Sequence, residues 1–160
     1  MRLRLCNFTT LSEPQKEMIL EWRNHANVRA NMYNTDIITK EEHFAFIDSL
    51  PQRENKRYFL VEEGENAIGV IDFNDISNIS TKLGIYANPF LTQKGIGTLL
   101  MQTLIAYAFD VLKTPILEAE VFVHNERAIY LYEKFGFKEK FRRCIKGKEI
   151  ICMELANENR

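Results

Sequence analysis

An α+β (α/β mixed) domain, with a mostly antiparallel twisted sheet of about seven strands and about four flanking helices, is predicted by three features of this chain. Short runs that alternate apolar and polar residues, such as Arg2–Phe8, Arg57–Glu62 and Leu117–Val123, are strands. Longer runs keep helical spacing, the clearest through Leu99, Leu100, Thr103, Leu104, Tyr107, Ala108 and Val111. Turn chemistry at Glu63-Gly64-Glu65-Asn66 and at Lys146-Gly147 joins neighbouring strands as hairpins, which makes the sheet mainly antiparallel.

The elements follow in order. After the Arg2–Phe8 strand, Ser12-Glu13-Pro14-Gln15 is a capping box, and its early proline costs no intrahelical donor. The helix it opens runs to about Arg23 and buries Met18, Ile19 and Trp22; Asn24-His25-Ala26-Asn27 breaks it. Val28 to Thr39 has no sustained period and is a short turn of helix and a loop. Thr39-Lys40-Glu41-Glu42 is a second capping box, whose helix is lined by Phe44, Ile47 and Leu50 and ends at Pro51. Strands at Arg57–Glu62 and Ala67–Asn74 form a hairpin, and a polar loop from Asp75 to Thr81 leads to a strand at Leu83-Gly84-Ile85-Tyr86. After the long helix come the Leu117–Val123 strand, a short helix around Tyr130–Phe135 ended by Gly136, and a hairpin of Lys138–Ile145 with Lys148–Leu155.

A chain of 160 residues is one domain, taken as 1–156 with a loose tail at 157–160. With a net charge of −1 it has no electrostatic footprint for duplex nucleic acid. The opening MRLRLCNFTT is too charged for a signal peptide and no run approaches a membrane span, so a cytoplasmic protein is expected. Cys6, Cys144 and Cys152 are odd in number and lack C-x-x-C spacing, which points to buried or half-buried strand residues, with no disulfide framework and no metal.

The chemistry centres on Gly95-Ile96-Gly97 at the mouth of the long helix. Glycines there let backbone approach a ligand, while the first-turn amides lack intrahelical acceptors and carry the positive end of the macrodipole. Such a helix mouth cradles phosphate. A Rossmann fingerprint is excluded because position 100 is Leu, and a Walker loop because Gly97 precedes Thr98 and Leu99.

Strand, loop, x-x-G-x-G and long helix, followed by Asn125-Glu126-Arg127-Ala128-Ile129-Tyr130-Leu131-Tyr132-Glu133-Lys134-Phe135-Gly136-Phe137, resemble the GCN5-related N-acetyltransferase (GNAT) superfamily. One position departs from its pattern: Thr92 stands where the family has Gln or Arg. The resemblance implies acetyl-CoA as co-substrate. Its pyrophosphate would sit on the amides of Lys94, Gly95, Ile96, Gly97 and Thr98, and its pantetheine along Leu83, Gly84 and Ile85, with Asn125, Tyr132 and Lys134 beside it. An amide of Ile85 or Tyr86 would bind the oxyanion.

Tyr132 is the candidate general acid, since a phenol arrives protonated and can deliver a proton to the departing thiolate. Glu120 is the candidate base: it shares a strand face with Glu118, Phe122 and His124, and two carboxylates on one face imply a wet cleft. Asp72 and His124 are rival bases. Arg23, His43, Asp72 and Tyr86 are placed on the acceptor side, the arginine for its planar fork. The motifs W-R-N-x-x-x-V-R, E-E-H and Leu83-Gly84-Ile85-Tyr86-x-Asn88-Pro89-Phe90-Leu91 are most similar to the nucleotide-sugar branch of pseudaminic acid biosynthesis. That branch acetylates the 4-amino group of a UDP-linked aminodideoxy sugar on the route to flagellin glycans. The resemblance therefore implies direct transfer in a ternary complex to a UDP-amino sugar; the sequence does not give the oligomeric state, and monomer and homodimer both stay open. A protein or peptide N-terminal acetyltransferase, and a non-catalytic acyl-CoA sensor, stay open as alternatives.

Overall fold

The computed structural model describes residues 3–159; Arg2 and Arg160, at the ends of the expected first strand and tail, lie outside the described residues. Seven strands form one sheet in the order β1-β2-β3-β4-β5-β7-β6. They are β1 (Leu3–Asn7), β2 (Arg57–Glu63), β3 (Asn66–Asn74), β4 (Thr81–Ala87), β5 (Ile116–Phe122), β6 (Lys138–Ile145) and β7 (Lys148–Ala156). Every pairing is antiparallel except β4 with β5. Five α-helices accompany them: α1 (Glu13–Asn24), a four-residue α2 (Ala26–Arg29), α3 (Lys40–Ser49), α4 (Ile96–Ala106) and α5 (Glu126–Lys134). Among the described residues no helix is long and apolar enough to cross a membrane.

Both capping boxes form as their sequences dictate. Ser12 accepts from the Gln15 amide while Gln15 reaches back to the Ser12 amide, and Thr39 and Glu42 do the same for α3. The two faces of the sheet then divide the core. On one face α4 and α5 bury Leu100, Met101 and Leu104 against Ile71, Phe73, Leu117 and Val121. On the other, α1 and α3 bury Ile19, Trp22 and Ile47 against Leu60 and Val70. The alternation along β3 assigns its residues to these two faces: Ile71 and Phe73 point to α4, Val70 and Asp72 to the α1 side.

Several boundaries differ from the sequence reading. The break after α1 is only His25, which ends one helix and caps the next. The buried face of α3 is His43–Ile47–Leu50; Phe44 is half-buried beneath the ammonium groups of Lys16 and Lys40. Val111 is 56 % exposed, because the long helix widens into a π-turn at Tyr107–Val111 and rotates its last residues out of phase. The last helix begins at Glu126, four residues before its expected start, since Asn125 caps it by accepting from the Ala128 amide at 3.2 Å. Cys144 is exposed on edge strand β6, whereas Cys6 is half-buried and Cys152 buried. Residues 157–159 form a 3-10 turn, with the Asn157 amide donating to the Pro115 carbonyl at 2.9 Å.

Candidate active site

The parallel strands β4 and β5 stay together for only two residue pairs, Thr81 with Leu117 and Lys82 with Glu118. Beyond them β4 continues against β3 as far as Ala87, and β5 against β7 as far as Phe122. From Leu83 onward the two inner edges therefore diverge, and their backbone donors and acceptors have no strand partner across the gap.

At the open end of β4 stands the mouth of α4. Gly95 is its N-cap with φ +87°, a left-handed conformation that glycine adopts without strain, and no side chain caps the helix. A Cβ on Gly95 would meet nothing within 4 Å, and one on Gly97 would meet only Leu131 at 3.5 Å, so the space above the first turn is open. Lys134, from the last turn of α5, donates to Thr98 Oγ1 at 3.4 Å. Its ammonium thus stands at the first turn of α4, whose amides at Ile96, Gly97 and Thr98 no side chain caps, so lysine and dipole present positive charge to the same space. Thr92 and Lys94 are exposed on the loop before the helix. A neighbouring predicted contact, Asn125, spends its side-chain oxygen on capping α5.

On the α1 side of the sheet, Tyr58, Asp72 and Gly84 form one row across β2, β3 and β4. A Cβ at Gly84 would lie 2.2 Å from Asp72 Oδ1, so glycine is required because the carboxyl lies across β4 at this point. Asp72 is buried, and its Oδ1 accepts from Asn74 Nδ2 at 2.8 Å; Asn74 Oδ1 in turn accepts from Lys56 Nζ at 2.8 Å and from the Tyr58 hydroxyl at 2.9 Å. Burial pushes the Asp72 carboxyl up to about 6, against the pull of Asn74 and Lys56. Burial, with the charge of Asp72, also raises the phenols of Tyr58, Tyr86 and Tyr132. Gly84→Ala is expected to displace this carboxyl and cost about 1–3 kcal/mol as an overpacking substitution, read as a lower urea midpoint at unchanged m-value.

Tyr132 lies on the opposite face of the sheet, in the core beneath α4. Its ring is buried beside Phe137, with centroids 5.3 Å apart, and no described residue hydrogen-bonds its hydroxyl. Tyr86 lies inside β4 next to Arg23, whose guanidinium donates to the Asn34 carbonyl at 3.3 Å and keeps Nη1 buried without a partner among the described residues. His43 is placed differently from a free acceptor-side donor: its Nε2 meets the Lys16 carbonyl at 2.9 Å, and burial lowers its pKa.

Glu120 is saturated with donors. Tyr33 donates to one oxygen; Arg143 Nη2 stands 2.6 Å and Lys82 Nζ 3.5 Å from the other. Burial would raise its carboxyl, but the hydrogen bonds from Tyr33 and Arg143, with Lys82, outweigh it and hold it below the ordinary glutamate value. Phe122, expected on a wet face, is instead buried under Tyr33, edge to face at 5.6 Å, with exposed His124 stacked on it at 5.3 Å. The sequence carries no local signal for Tyr33, which lies in the aperiodic stretch before α3 and takes its role from tertiary contact alone. Among the described residues no three His, Cys, Asp or Glu side chains gather as a metal set.

The profile of the Acetyltransferase (GNAT) family matches residues 17–137. Acetyltransferase PseH of Campylobacter jejuni subsp. jejuni serotype O:23/36 (strain 81-176) is 41% identical over 153 residues, covering 92% of this chain and 96% of that protein. The crystal structure of Campylobacter jejuni N-acetyltransferase PseH in complex with acetyl coenzyme A superposes with a TM-score of 0.79 at 36% identity, over 97% of this chain and 99% of the other. Spermidine N-acetyltransferase from Vibrio cholerae, in complex with CoA and spermine, superposes at a TM-score of 0.86 over 98% and 96% of the two chains; at 22% identity that likeness concerns the fold alone.

Proposed function

Because this chain belongs to the acetyltransferase (GNAT) family and is an acetyl-CoA-dependent N-acetyltransferase, we propose that its acceptor is the 4-amino group of a UDP-linked amino-dideoxy sugar of pseudaminic acid biosynthesis. The acetyl group passes directly within a ternary complex. The observation that carries the carrier side is the divergence of β4 from β5 beside the uncapped, lysine-flanked mouth of α4. Pyrophosphate seats on the amides of Ile96, Gly97 and Thr98 next to Lys134, and pantetheine follows the open edge at Leu83, Gly84 and Ile85. An amide of Ile85 or Tyr86 then faces the thioester carbonyl and stabilises the oxyanion. Tyr132, its proton held tightly by burial, protonates the leaving thiolate.

Likeness to the Campylobacter PseH proteins over nearly their whole length supports the sugar reading, and Arg23 with its spare Nη1 suits an anionic acceptor. Tyr33 and Glu120 form the adjoining wall. The test is product analysis with labelled acetyl-CoA, offered either UDP-4-amino-4,6-dideoxy-N-acetyl-β-L-altrosamine or a set of N-terminal peptides. Label is expected on the sugar amine. Transfer to peptides alone would favour the protein N-terminal acetyltransferase, and an acetylated cysteine competent for transfer would overturn the ternary-complex route.

A further inference from the structure

Two carboxylates reach the diverging edges of β4 and β5, and their surroundings are opposite. Glu120 has donors on both oxygens from Tyr33, Arg143 and Lys82, so a proton arriving there must first displace an ion pair. Asp72 receives a single hydrogen bond among the described residues, from Asn74 on Oδ1, and its second oxygen is uncommitted. From β3 it lies across Gly84 of β4, whose edge toward β5 is unpaired from Leu83 onward, and it keeps 7 % of its surface exposed.

We infer that Asp72 is the seat for the acceptor's primary ammonium group and the base that deprotonates it, with Glu120 a structural anchor for Tyr33 and Arg143. The groups facing Asp72 suit an alkylammonium. From β2 comes Tyr58, and from the residue before β2, through Asn74, Lys56; from β4, Tyr86; from α1, Arg23; Tyr132, on the other face of the sheet, feels the charge of Asp72 without facing it. Lys82, one row along β4, is turned to Glu120 and Asp75. The neutral phenols supply aromatic faces and hydroxyls to a cation, and the carboxylate supplies the countercharge.

The step balances on these groups. An ammonium N–H bond breaks and its proton passes to a carboxylate oxygen of Asp72, which frees the nitrogen lone pair to form the N–C bond at the thioester carbon. Collapse of the tetrahedral oxyanion breaks the C–S bond, and sulfur leaves with the electron pair and takes the Tyr132 proton. The phenolate recovers a proton from the acetylated nitrogen, and Asp72 returns its own to water.

This inference rests on amine acetylation and not on which amine. The experiment follows kcat/KM of the full chain from pH 5 to 9 with acetyl-CoA saturating and UDP-4-amino-4,6-dideoxy-N-acetyl-β-L-altrosamine varied. The wild type is expected to lose rate below about pH 6 as Asp72 takes up a proton. Asp72→Asn should lower kcat/KM by about 10²–10⁴-fold and erase that limb, whereas Glu120→Gln should keep the limb whatever its kcat. If Asp72→Asn retains the limb, or Glu120→Gln abolishes it, the assignment is wrong. Should the wild type not acetylate this sugar, the sugar reading fails instead, and carboxyl carbon NMR with methylammonium decides the base. Added methylammonium must lower the Asp72 titration midpoint; an unmoved midpoint overturns the inference.

Discussion

Tyr132→Phe is expected to lower kcat by about 10²–10⁴-fold, the range over which a positioned general acid contributes, while acetyl-CoA affinity measured by calorimetry stays within about three-fold. The asymmetry follows from where the two ends of the side chain lie. The ring is buried against Phe137 and a phenylalanine ring fills the same space, so the fold and the carrier site keep their walls. The hydroxyl, bonded by no described residue, is the only part removed. Burial and the charge of Asp72 both raise its pKa, so it arrives protonated at every working pH. A Tyr132→Phe protein with undiminished turnover would assign the hydroxyl to packing alone.

Much of this organisation is legible from local signals. Capping boxes at Ser12 and Thr39, the hairpin turns and the glycines before α4 specify their own backbone, because each acts within a few residues of itself. The divergence of β4 from β5 is a different kind of fact. The paired positions Thr81 and Leu117 lie in separate strands with a whole helix between them, and no local pattern states where their pairing stops. The same holds for the carboxylates. Alternation along β5 places Glu120 and Phe122 on one face, yet Tyr33 and Arg143, which donate to the Glu120 carboxylate, arrive from distant segments. In the sequence Asp72 is one of three candidate bases and stands in a strand of apolar residues. Its distinction appears only when the missing Cβ of Gly84 is seen to be the space its carboxyl fills.

Asp72→Asn is expected to stabilise the protein at pH 7 by about 1–3 kcal/mol while impairing transfer, since one pKa unit corresponds to about 1.4 kcal/mol. The sign follows from the direction of the shift. The folded-state value of about 6 lies above the ordinary 3.8, so between these values the folded chain holds a proton that the unfolded chain has released. Stability from this group is therefore greatest below the unfolded value, falls as pH rises toward 6, and above 6 the full cost of a buried carboxylate is present. Asparagine is neutral, close in shape, and can still accept from Asn74, so it removes the cost without opening a cavity. Urea unfolding at pH 7 and pH 5 reads this directly: the advantage of Asp72→Asn should be largest at pH 7 and shrink at pH 5, and a variant less stable than wild type at pH 7 would contradict it. Such a gain in stability coupled to a loss of transfer is the signature expected of a buried carboxylate that serves as the base, as inferred for Asp72.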